Sequence, residues 1–198
     1  NIPETQKTEG KKVAETSKYS PLSFRHFILG SVAIFVYVGV EVGVPNVLQK
    51  WLQNPELNVL GSGVNVEAIA GSVAATYWLL MLVGRLLGAM IGSKVSAKSM
   101  LMVVSSAGLL LTLGAMFAPN VPVFNGAEGF GLVNVPVSAA LLVLVGLCTS
   151  VMWGGIFNLA VEGLGKYTEK ASGIFMALVC GGGILPLLQN GIVDLTGG

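Results

Sequence analysis

The sequence predicts an all-α integral membrane protein with five transmembrane helices, and three observations carry that prediction. Hydrophobic residues make up 53% of the 198 positions and charged residues 11%, less than half the roughly 25% that clothes a soluble domain. Five windows are apolar over the ~20 residues that a helix needs to cross a bilayer. Basic residues alternate from one loop to the next, as the two sides of a membrane require.

Residues 1–23, "NIPETQKTEGKKVAETSKYSPLS", are polar and lack an apolar period. They read as a cytoplasmic linker or tail rather than a signal peptide, because no apolar h-region follows the charges. A start at asparagine suggests missing upstream sequence. The spans run over 24–50, 67–92, 99–118, 137–162 and 171–195. Between them stand "NPELNVLGSG", "SKVSAKS", "PNVPVFNGAEGFGLVNVP" and "GLGKYTEK", rich in the Pro, Gly and Asn of turns. Lys7, Lys11, Lys12, Lys18, Arg25, Arg85, Lys94, Lys98, Lys166 and Lys170 fall on one side, and only Lys50 on the other. The N-terminus is therefore expected in the cytoplasm. Five spans leave the C-terminus outside, so residues 24–198 read as a partial six-helix half, lacking one helix at its end and a whole half at its start.

Composition also excludes functions. The sequence has no HExxH, GxSxG or Walker motif and no paired Cys/His metal spacing, so neither an enzyme nor a metal centre is expected. Cys148 and Cys180 each sit in an apolar run and read as small packing residues. A net charge of +1 without an aromatic-interleaved basic patch gives no sign of nucleic acid. No cofactor is implied.

The informative residues are the polar and small ones inside the spans. Span one carries "FVYVGVEVGVPNVLQ", with Glu41 in an apolar run. An ionisable residue at such depth is costly and usually faces a cavity or a partner. Gly39 and Gly43 recur at one-turn spacing there, as do Gly84, Gly88 and Gly92 in span two; such stripes pack helices or let them slide. Span five carries "CGGGILPLLQNG", where Gly181, Gly182, Gly183 and Pro186 weaken a helix near mid-membrane. With Pro45 in span one, two interrupted helices are expected, and broken helices at membrane depth line transport sites. Counting ~1.5 Å per residue puts Tyr37 near the midplane, with Glu41, Gln189 and Asn190 further out. Tyr77 and Trp78 fall in the outer half of span two, Trp153 just below the midplane and Asn158 lower.

These groups can converge on one polar cavity, whose aromatic faces and amides suit a sugar. Each has a plainer role beside it. Tyr77 and Trp78 suit an interface belt, Trp153 suits packing and Asn158 a bond to a neighbouring helix. Arg85 snorkels or caps helix ends at a cytoplasmic gate. Glu162 and Lys166 form an i,i+4 pair, and His26 stays at the surface.

Three stretches, "FVYVGVEVGVPNVLQKWL", "LLMLVGRLLGAMIGSKVSAK" and "GIFNLAVEGLGKYTEKASGIFMALVCGGGILPLLQNGIVD", resemble helices 7–11 of the fucose/galactose/glucose–proton symporters of the major facilitator superfamily, over about residues 22–197. The resemblance implies twelve helices in two halves, with alternating access to a central sugar site. It implies that Glu41, Asn46 and Gln189 contact sugar hydroxyls, and that Tyr37 and Trp153 shape the cavity. The coupling ion would be a proton, whose acidic carriers lie mainly in the other half. The expected partners are a hexose or deoxyhexose, the lipid of a bacterial inner membrane, and the remainder of the same protein. "WGGIFN" departs from relatives that have proline there. Two other functions compete: a facilitator for another small solute, and a non-transport membrane assembly protein.

Overall fold

The computed structural model describes residues 20–61, 63, 65–92, 94–119 and 135–196. Most of the polar N-terminal segment and residues 120–134, between spans three and four, lie outside the described residues. Five helices long and apolar enough to cross a membrane appear where the composition puts them. Three are single: α1 (Arg25–Gln53), α2 (Val66–Gly92) and α3 (Ala97–Phe117). The fourth span divides into α4 (Val137–Thr149) and α5 (Met152–Val161). The fifth divides into α6 (Thr168–Ala177) and α7 (Gly181–Thr196), joined by a 3-10 turn over Leu178–Cys180.

α1 is the central helix, and its two ends enter two apolar cores. Phe27, Ile34, Tyr37 and Val38 pack with Ile156 and Ala160 of α5 and Ala171 and Phe175 of α6. Leu48 and Leu52 pack with Ala70 and Val73 of α2 and Ala139 and Val143 of α4. Glu41 lies on α1 between these two groups. α3 sits at the periphery, with Ala115 as its buried residue. The outward Leu, Val, Ile and Met side chains of α2, α3 and α7 form the surface that lipid covers in an integral membrane protein.

Three local expectations are corrected. First, Pro45 does not interrupt span one; α1 runs unbroken through it. Proline has no N–H, so the carbonyl four residues earlier, that of Glu41, loses its helical donor. The Tyr77 hydroxyl of α2 donates to that carbonyl at 3.2 Å and replaces the missing bond. This compensation is testable by thermal unfolding of purified protein in detergent. Tyr77→Phe is expected to cost about 1–3 kcal/mol, the penalty of an orphaned buried acceptor. Pro45→Ala restores the N–H, so the same Tyr77→Phe change is expected to cost less than half as much in that background. Strictly additive losses would rule the compensation out.

Second, the irregularity of span five falls at Leu178–Cys180, a turn before the glycines, and Pro186 lies within regular α7. The glycines serve close approach instead. A Cβ on Gly181 would overlap the Phe35 carbonyl of α1, and one on Gly182 would stand 2.8 Å from Val38 Cγ1. Gly183 has open space around it, and so does Gly92 at the end of the α2 stripe, so neither takes part in packing among the described residues.

Third, Glu162 and Lys166 are not neighbours on one helix. α5 ends at Val161, and Gly163 turns the chain with φ 74°, a left-handed conformation that glycine adopts without steric cost. Lys166 instead places its Nζ 5.3 Å from the centre of the Tyr167 ring.

The split in span four was not foreseen. Thr149 Oγ1 donates to the Gly146 carbonyl at 3.1 Å and Ser150 Oγ to that of Leu147 at 2.6 Å. Such back-bonding competes with the helical ladder and bends helices. Ser150 and Val151, at the break, sit over the α2 stripe: a Cβ on Gly84 would overlap Ser150 Oγ, and one on Gly88 would overlap Val151 Cγ1.

Candidate functional site

The site is built where α1, α2 and the α4–α5 break meet. α1 and α2 run antiparallel, since Leu48 packs with Val73 while Glu41 meets Tyr77. On any helix the Cα–Cβ bonds tilt towards the N-terminus. Glu41 therefore leans down α1 towards Tyr37, and Arg85 leans up α2 towards Glu41. The carboxylate Oε1 receives the Tyr37 hydroxyl at 2.7 Å and Arg85 Nη2 at 3.1 Å.

This ion pair joins unequal partners: the Glu41 side chain is 10% exposed and that of Arg85 55%. It is the only ion pair among the described residues. Arg85 makes no other side-chain hydrogen bond there, and Glu41 Oε2 has no partner.

Tyr37 has one hydroxyl proton and two acceptors within reach. The second is the Thr149 carbonyl, at 2.9 Å, which lies in the last turn of α4, where carbonyls lack intrahelical donors. Tyr77 lies 3.3 Å from Thr149 Oγ1 through its own hydroxyl. Gly146 permits this approach, because a Cβ there would stand 2.8 Å from the Tyr77 carbonyl. Polar bonds thus tie α1, α2 and α4 together at one level.

Glu41, Arg85, Ser150, Trp153 and Val179 line a cavity of about 480 Å³, within the few-hundred-Å³ range of small-molecule sites. Arg85, Ser150 and Gly154 also wall a second cavity of about 300 Å³, which Asn158 reaches. Trp153 stacks on Phe157 with ring centres 5.6 Å apart and edges onto Phe175 at 6.2 Å, so it both packs and lines the cavity.

The predicted residues therefore separate into groups. Tyr37, Glu41 and Trp153 come together as expected, with Arg85 joining them. Asn158 lies in the adjoining cavity. Asn46, Gln189 and Asn190 lie along the α1–α7 seam and do not line the Glu41 cavity. There Asn190 Nδ2 donates to Asn46 Oδ1 at 3.2 Å, and a Cβ on Gly43 would stand 2.5 Å from Gln189 Oε1. Pro186 is buried in the same seam. Trp78 is half exposed beside Tyr77, in keeping with an interface position.

Sequence reasoning missed the Glu41–Arg85 pair and the contribution of Thr149. Counting rise per residue places Cα atoms but not the reach of an arginine. The adjacent Thr149 and Ser150, polar in mid-span, were the available signal for the break.

The fold and site define an integral membrane protein whose helices form an open cavity beside a buried carboxylate paired with a half-exposed arginine. By sequence the chain is similar, over 98% of its length, to sugar transporters of bacteria. It is 30% identical over 201 residues to the glucose/galactose transporter of Brucella abortus biovar 1 (strain 9-941), and equally so to that of Brucella abortus strain 2308. It is 28% identical over 194 residues to a Helicobacter pylori protein given that name provisionally. The chain spans 42% of the length of these relatives, and it corresponds to a C-terminal portion of such a transporter. The names agree with the expectation of a transport protein rather than an enzyme. No family model and no solved structure matches the chain.

Proposed function

We propose that this chain is the C-terminal part of a major facilitator transporter that carries a hexose or deoxyhexose across a bacterial inner membrane by alternating access. In this reading the uptake is coupled to protons. The N-terminal segment faces the cytoplasm, and a second set of helices closes the cavity from the opposite side.

One observation carries the proposal: a nine-tenths-buried carboxylate, held by Tyr37 and Arg85, opens on a cavity beside Trp153. Carboxylates accept sugar hydroxyls strongly, and an indole covers the apolar C–H face of a pyranose. The relatives' names support the substrate class. Asn158 can reach the solute from the adjoining cavity, while Asn46, Gln189 and Asn190 would act at the α1–α7 seam as the halves rock. Gly84, Gly88, Gly181, Gly182 and Pro186 would keep the moving helices in close contact.

The test is uptake of labelled glucose, galactose and fucose by transport-deficient cells producing the full-length gene product. Saturable uptake abolished by a protonophore is expected. Trp153→Ala is expected to raise KM roughly tenfold, the effect of losing one aromatic contact worth about 1–1.5 kcal/mol. Absence of sugar uptake alongside transport of an amino acid or organic anion overturns the substrate assignment.

A further inference from the structure

Within the Glu41–Arg85 pair, most of the hydrogen-bonding capacity is unused among the described residues. Oε1 takes both Tyr37 and Arg85, while Oε2 has no partner among the described residues, although the side chain is nine-tenths buried. Arg85 spends one Nη2 donor on Glu41, and the rest of its fork belongs to a side chain that is half exposed and lines both cavities. Oε2 is not among the fully buried unpartnered polar atoms of the described residues, so it meets the open cavity as a free acceptor, and guanidinium has five N–H groups and no acceptor. The open positions thus form an acceptor next to donors. A hydroxyl both donates and accepts, so two hydroxyls on adjacent carbons satisfy the set together. One donates to Glu41 Oε2 and its neighbour accepts from Arg85. The pair is neutral as a whole. A solute with a single charge is attracted by one member of the pair and repelled by the other, so it gains little net Coulomb energy to offset the cost of leaving water.

We propose that Arg85, together with Oε2 of Glu41, is a specificity-determining contact that selects neutral solutes carrying a vicinal pair of hydroxyls. This rests on the sugar-transport reading for its substrate and adds to it the residue that reads the hydroxyl pattern. Arg85 touches the solute directly, beyond any part it plays in packing or gating.

The experiment is competition of sugar uptake by a series of mono-deoxy analogues, in the full-length protein and in Arg85→Gln and Arg85→Lys. In the wild type, at least one analogue is expected to compete about tenfold more weakly than the parent sugar, because a site built to hold a hydroxyl rejects its absence. In Arg85→Gln the parent sugar weakens, and the analogue's disadvantage shrinks to within about threefold, since the discriminating partner is gone. Arg85→Lys keeps the charge without the planar fork and is expected to fall between. It also serves if Arg85→Gln fails to reach the membrane, because its own loss of discrimination then decides the matter. Equal analogue penalties in the wild type and both variants overturn the proposal, since a purely structural Arg85 would scale all sugars alike. If the wild type instead carries a non-sugar diol such as inositol with the same Arg85-dependent discrimination, the sugar reading falls and this one stands. Transport confined to charged solutes overturns both.

Discussion

Glu41→Gln is expected to reduce sugar uptake by roughly 10- to 100-fold at limiting substrate, the loss of a charge-assisted bond worth about 1.5–3 kcal/mol. The amide keeps the shape of the carboxylate, so the Tyr37 and Arg85 contacts of Oε1 retain their geometry. The strength of those contacts falls, and a donor replaces one acceptor oxygen. Breaking a buried pair is usually severe because the remaining charge is stranded. Here the remaining charge is Arg85, whose side chain is 55% exposed and can swing towards water. The variant is therefore expected to accumulate in the membrane at near-normal levels, which separates a lost contact from lost folding. Uptake within twofold of wild type, at matched protein levels, removes Glu41 from the site.

The second large effect concerns packing. Gly181→Leu is expected to abolish folded protein, whereas Gly183→Leu is expected to be tolerated. The two positions lie two residues apart in the same glycine run, and sequence composition does not tell them apart. A Cβ at Gly181 would overlap the backbone carbonyl of Phe35, which cannot rotate away as a side chain tip can. Overpacking costs about 1–3 kcal/mol when side chains can yield, and more is expected where backbone must move. Gly183 has nothing within 4 Å. Size-exclusion chromatography of detergent-extracted protein checks the contrast, and equal behaviour of the two variants refutes the assigned α1–α7 contact.

The five spans were legible because bilayer thickness imposes a length and an apolar composition that few other structures share. Glu41 was legible for a related reason: a lone acid in an apolar run stands out from composition alone. What composition misses is where a helix yields. Pro45 looked like a break, yet a hydroxyl on another helix supplies the bond it removes. The actual break, at Ser150 and Val151, carries no proline or glycine and arises from side chains bonding back to their own helix. The Arg85 partnership escaped for a third reason. Its Cα lies two turns of α2 beyond Tyr77, and the direction of Cβ atoms on antiparallel helices closes the gap. Asn46 of α1 meets Gln189 and Asn190 of α7 along the α1–α7 seam, away from the Glu41 cavity, because a count of residues along a helix fixes only one coordinate of a side chain.

The pairing of Glu41 with Arg85 has an electrical consequence. An elementary charge carried across the whole membrane field feels about 2.3 kcal/mol per 100 mV, comparable to the energies that separate the states of a working transporter. Two opposite charges 3.1 Å apart travel as a dipole with no net charge, so the resting potential does almost no work on them as the helices shift. In the proposed alternating-access reading, a carboxylate held beside its own counter-charge would add no voltage dependence of its own to the change of sides, leaving the carried proton as the charge on which the potential acts.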